Sequence, residues 1–299
     1  MSGFADFLTP EAMRRLERLA IGSRRVAEGG RAGRHASALK GASVEFRDHR
    51  DYVQGDSLRH LDWKLYGRSE RYFIKRFQEE TCLRVQLLID ASASMDFRHS
   101  GARTKYDFAR VFAAAAAYLA HHQQDSVGLV VYDEEVRAQI PAKGGPRHVA
   151  RVLDALAGHT PAGRTDTGKA LAALAGAMAR RGMVIMLSDL LDDPDAVFRA
   201  LAHFRRRGHD VVLAQILDPA ELDLPFDGAS DFIDMETGER LEADAALVRR
   251  AYRESITAAI NDYRERCGGL GVEFHLVTTD RDPAGFLGDL LAGRKRTGR

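Results

Sequence analysis

The residues most suited to chemistry are Asp90, Ser92 and Ser94, in the stretch Leu87-Leu88-Ile89-Asp90-Ala91-Ser92-Ala93-Ser94-Met95. An apolar run, Val85 to Ile89, ends in Asp-x-Ser-x-Ser. The run reads as a buried strand of a parallel sheet. One carboxylate and two hydroxyls then follow at alternate positions past the strand end, where open α/β sheets bind ligands. Such a donor set suits a hard cation that keeps some of its waters, with Mg2+ as the first choice. The same residue types also cap helices and make turns.

Two further stretches bear on this choice. Gly163-Arg164-Thr165-Asp166-Thr167-Gly168 lies at a helix start, and a second apolar run, Met183 to Leu187, ends in Ser188-Asp189. Together the three stretches resemble the metal-ion-dependent adhesion site of von Willebrand factor A-like domains. The resemblance implies Asp90, Ser92, Ser94 and Thr165 as direct or near-direct ligands of Mg2+, with Mn2+ or Ca2+ as alternatives, and Asp189 acting mostly through water. It also implies an open coordination position that the Asp or Glu of a partner completes. Arg164 and Leu190 stand where such sites often have Gly, and Arg164 is expected to offset part of the site's negative charge.

A second resemblance rests on residues 41–68. Glu45-Phe46-Arg47, Tyr52-x-x-Gly55-Asp56, Arg59-x-x-Asp62-Trp63-Lys64 and Arg68 precede the strand and its Asp-x-Ser-x-Ser-Met. This order resembles the bacterial family known as domain of unknown function 58. That resemblance alone implies a MoxR-type AAA+ ATPase as partner, with this chain as adaptor or co-chaperone. From the residues themselves, Arg47, Arg59 and Arg68 are expected to pair with Glu45, Asp56 and Asp62, because ions beside buried rings must be matched. Trp63 is expected to be a packing anchor.

The elements that must position the site follow from periodicity. Strands at 126–132, 136–140, 183–187, 210–217 and 272–277 alternate with helices at 105–122, 147–157, 168–181, 195–207, 243–266 and 283–291. This pattern implies a doubly wound, mainly parallel α/β sheet covered on both faces. The A-like resemblance adds the strand order 3-2-1-4-5-6, with the returning hairpin strand at one edge. Phe232-Ile233-Asp234 and Glu236-Thr237-Gly238-Glu239 read as a small separate hairpin. The expected organisation is an N-terminal arm and family-specific segment at 1–82 packed on the main domain, the A-like domain at 83–293, and a free basic tail at 294–299.

Composition sets outer bounds. A net charge of +1 suggests no nucleic-acid partner. Two distant cysteines, Cys82 and Cys267, form no zinc or disulfide framework and favour a reducing compartment. Without a long apolar run or a basic-then-apolar start, no membrane span and a cytoplasmic location are expected. The primary expectation is a protein-interaction module rather than an enzyme. A metal-dependent phosphoesterase and an ion-free scaffold are the alternatives; no Asp-x-Asp pair, Gly-x-Ser-x-Gly elbow or His-Glu-x-x-His helix supports the former. Oligomeric state is left open.

Overall fold

The computed structural model describes residues 2–19, 44–53, 61–69, 71–79, 83–168, 170–171, 174 and 181–297. Packing divides the chain into two compact units, Met1–Gly30 with Leu83–Arg299, and Arg31–Cys82.

The smaller unit holds strands β1 (Val44–Asp51) and β2 (Phe73–Glu79), which form an antiparallel ribbon, and helix α2 (Trp63–Ser69). Asp62 precedes α2 and takes the capping role: its Oδ1 accepts the N–H groups of Lys64 and Leu65 at 3.0 and 3.1 Å. Its Oδ2 meets His49 Nε2 at 2.9 Å, a partner the sequence reading did not assign. Trp63 is corrected: it is 63% exposed, and Leu61, Asp62 and Ile74 are the buried residues here. The indole lies on the outer side of α2, edge-on to Tyr66, which stacks on Tyr72. Of the expected ion-pair set, Asp56 and Arg59 lie outside the described residues, as do Gly55 and Cys82.

The larger unit is built on six strands. These are β3 (Arg84–Asp90), β4 (Ser126–Tyr132), β5 (Val136–Lys143), β6 (Met183–Ser188), β7 (Asp210–Leu217) and, last in the chain, β10 (Glu273–Thr278). Their order is β10-β7-β6-β3-β4-β5, parallel throughout except for β5. That is the order 3-2-1-4-5-6 expected above, so the chain reverses direction of winding between β3 and β6. Residues alternate between the two faces. Val85, Leu87 and Ile89 enter one core and Leu88 the other.

Helices α1 (Pro10–Leu16), α3 (Lys105–His122) and α4 (Pro146–Gly158) contribute to the first core. Ala113–Ala117 are all buried, because methyl side chains let α3 approach the sheet closely. The second core contains Ala170, Leu171 and Leu174, together with α5 (Pro194–Arg206) and α7 (Ala245–Leu270). Full burial of Phe204 or Leu201 is worth about 2–3 kcal/mol each. The short α6 (Pro219–Asp223) follows β7, and strands β8 (Ala229–Ile233) and β9 (Arg240–Asp244) form the expected separate hairpin before α7.

The last helix, α8 (Pro283–Thr297), corrects the expectation of a free tail from residue 294. Arg294 is buried and pairs with Asp210 and with Glu273, the latter at 3.0 Å. Two carboxylates at the start of neighbouring strands give the guanidinium a matched site. Gly298 and Arg299 lie outside the described residues, as does the Gly- and Arg-rich stretch 22–35. Among the described residues, no helix is long and apolar enough to cross a membrane.

Candidate metal centre

The site forms at the C-terminal rim of β3 and β6, where the winding reverses. Ile89 pairs with Leu187, so Asp90 and Ser188 emerge side by side. Asp90 is fully buried. Its Oδ1 accepts the Ser92 N–H at 3.0 Å, which turns the chain, and its Oδ2 accepts the Ser188 hydroxyl at 2.7 Å. The Ser92 and Ser94 hydroxyl oxygens lie 3.0 Å apart and both residues are buried.

The loop after α4 is laced onto this turn. Ala93 N donates to Gly163 O at 3.0 Å, and Ala162 N donates to Ala91 O at 2.9 Å. Gly163 has φ +77°, a conformation that a side chain resists. Thr165 follows two residues later, but its hydroxyl is engaged. Its Oγ1 donates to Glu236 Oε1 at 2.8 Å and its N–H donates to Glu236 Oε2 at 3.1 Å. Glu236 belongs to the β8–β9 turn.

Asp189 is fully buried, and its Oδ2 accepts from Lys105 Nζ at 2.7 Å. The same ammonium donates to Glu221 Oε1 at 2.6 Å. Lys105 is itself fully buried at the first turn of α3. Burial works against the ammonium, but the charges of Asp189 and Glu221 outweigh it and raise the Lys105 pKa. Asp234 of the hairpin turn has its carboxyl lowered chiefly by the Thr237 and Glu236 N–H groups, with a smaller contribution from the charge of Arg164.

The carboxylates outnumber the cation. Asp189 and Glu221 share one ammonium, and the fully buried Asp90 is held by the Ser92 N–H and the Ser188 hydroxyl rather than by a cation. Burial, and then the charge of Asp189, push the Asp90 pKa up to about 7 despite its hydrogen bonds from Ser92 and Ser188. Unbalanced negative charge away from water calls for a proton or a cation.

The donor set fits a small divalent ion. Adjacent vertices of an octahedron with bonds of roughly 2.0–2.1 Å lie about 2.9 Å apart, close to the Ser92–Ser94 separation of 3.0 Å. Tyr132, paired with Asp90 across β3 and β4, brings a buried hydroxyl close to those of Thr167 and Ser188. A hydrated ion offers such groups water to bind. Among the described residues no group of three His, Cys, Asp or Glu is placed to hold a metal; a site of this kind relies on hydroxyls for most of its donors.

Sequence reasoning missed Lys105, Ser188, Glu221 and Glu236. It also missed Asp218, which ends β7 and fixes the loop leading to α3. Asp218 accepts the N–H groups of His99, Ser100 and Gly101 as well as that of Ala220. A strand-end Asp followed by Pro was its visible signal. Leu190 adds strain: at φ +62° it adopts the left-handed conformation that the Gly of similar sites takes freely.

An open, doubly wound α/β sheet with a polar rim at its switch point defines a class of ligand-binding folds. Within that class, residues 48–265 match the family described as Protein of unknown function DUF58, and the chain belongs to it. Uncharacterized proteins of Mycobacterium tuberculosis and Mycobacterium bovis are each 28% identical over 296 residues, covering 97% of this chain and 92% of their own length. Among solved structures, BatB from Bacteroides thetaiotaomicron matches with TM-score 0.47 and 15% identity, over 72% of this chain and 99% of its own. An aerotolerance-related membrane protein from Bacteroides fragilis matches with TM-score 0.48 over the same shares, also at 15% identity.

Proposed function

We propose that this chain is a metal-dependent protein-interaction module. Asp90, Ser92 and Ser94 would hold Mg2+, or Mn2+ or Ca2+ in its place, with Thr165 joining from the opposite loop. Asp189, tied to Lys105, would act on the ion's waters rather than on the ion. The ion supplies positive charge to an acidic side chain of a protein partner, which completes the shell. The resemblance on residues 41–95 makes a MoxR-type AAA+ ATPase the partner to test first, with this chain as its adaptor. The observation that carries the reading is the buried excess of carboxylate at a rim that also presents two buried serine hydroxyls, hydrogen-bonded to each other at 3.0 Å.

Titration of the purified chain with Mg2+ or Mn2+ in a calorimeter tests it. Asp90→Asn should weaken the ion by about 100-fold. It should not lower the ion-free stability, since it removes one charge from an overcharged cluster while Asn still accepts a hydrogen bond. Equal ion binding by the wild type and Asp90→Asn would remove the basis of the reading. One observation favours a second reading, the ion-free scaffold: an ammonium already sits on Asp189. That reading expects no saturable binding of either metal by the wild type.

A further inference from the structure

The contact that the metal reading does not use is the grip of Glu236 on Thr165. Both carboxylate oxygens are spent on one residue, the N–H at 3.1 Å and the hydroxyl at 2.8 Å. Glu236 sits on a turn built to present it. Asp234 Oδ1 accepts the N–H groups of Glu236 and Thr237 at 2.7 and 2.9 Å, and Gly238, at φ +74°, closes the reversal. The hairpin that carries this turn is held lightly. Its two strands pair only with each other, and Ile233, Met235 and Leu241 are 54%, 43% and 66% exposed. Beneath it lies a cleft of about 830 Å³ whose lining includes Ser94, Lys105, Glu221 and Glu236. The hairpin therefore covers a cleft that reaches Ser94 of the candidate centre and lays its own carboxylate against Thr165, a second candidate ligand.

We propose that the β8–β9 hairpin is a built-in stand-in for the partner. Glu236 takes, on Thr165, the place of the partner's carboxylate, and the docking surface is the Thr165 rim with the cleft that the hairpin covers. This rests on the reading of the rim as a partner site and names the chemistry of the partner: a protein that offers a carboxylate from a tight surface turn and must displace Glu236 to bind. The latch itself needs no ion, because both of its bonds come from Thr165.

Two measurements on the full-length chain test the proposal. Hydrogen exchange of the 229–244 amides, without added metal, compares wild type, Glu236→Ala and Glu236→Gln. Release of the latch should speed exchange in Glu236→Ala by about 10-fold, a loss of roughly 1.4 kcal/mol, with Glu236→Gln in between. The second probe is a fluorescent cyclic peptide of residues 233–240. Glu236→Ala should capture it at least 10-fold more tightly than wild type, and a peptide carrying Gln at position 236 should not be captured. Capture that disappears with chelator supports both the stand-in and the metal. Capture that persists in chelator supports the stand-in alone, because both bonds of the latch come from Thr165, and leaves the metal to be decided by the calorimetric titration. Unchanged exchange in Glu236→Ala, or equal capture by wild type and variant, overturns the stand-in whatever the metal titration gives.

Discussion

The two sides of the candidate centre are built differently. On the sheet side, Asp90, Asp189 and Lys105 are fully buried, and each is fixed by partners from distant strands or helices. On the loop side, Thr165 is half-buried and its partner comes from a small exposed hairpin. The sheet side is therefore costly to disturb and changes little in shape. The loop side has little buried area behind it and can exchange one carboxylate for another. Under the proposed function a site that holds a cation and admits a visiting protein needs both properties, and the fold offers them in separate parts.

The contrast breaks most visibly at Lys105. Lys105→Met should leave Asp189 and Glu221 buried without their cation and destabilise the chain by about 3–5 kcal/mol, read from urea unfolding. A loss below about 1 kcal/mol would mean that the sheet side tolerates change as the loop side does. Leu190→Gly sharpens the same side. Removing a buried leucine costs about 2–5 kcal/mol at an ordinary position such as Leu187, whereas relief of the left-handed strain returns roughly 1–2 kcal/mol. The net cost at Leu190 should be clearly smaller than that of Leu187→Ala in the same assay. Thr165→Ala should have the smallest effect on stability, within about 1 kcal/mol, while weakening Mg2+ binding and freeing the hairpin. If Thr165→Ala unfolds the chain as readily as Lys105→Met, the two sides are one structural unit.

The sheet side was the more legible half in the sequence. Buried parallel strands are near-continuous apolar runs, interrupted in β3 by Gln86, so their ends are sharp, and Asp90 and Asp189 stand at those ends. Gly163 and Thr165 were visible as a glycine and a hydroxyl in a loop before a helix, and it is the φ of +77° at Gly163, not crowding, that calls for the glycine. What escaped was pairing across long separations. Lys105 reads locally as one more residue in the first turn of a helix, and its partners lie 84 and 116 positions away. Glu236 reads as an ordinary turn residue, 71 positions from Thr165. Val44–Asp51 was invisible as a strand because its charges follow no alternation and its ladder is completed by β2 alone. Trp63 misled for the opposite reason: its size suggests burial, but α2 turns it outward.

One further detail bears on how such a chain diversifies. Arg249, in α7, donates to the Leu224 and Phe226 carbonyls at 3.0 and 2.6 Å and so staples the base of the hairpin to the helix behind it. A segment closed off at its root is an exchangeable cassette. A change in the length or charge of its tip would leave the strands that carry Asp90 and Asp189 in register. On the proposed reading, the choice of partner could then change without cost to the scaffold.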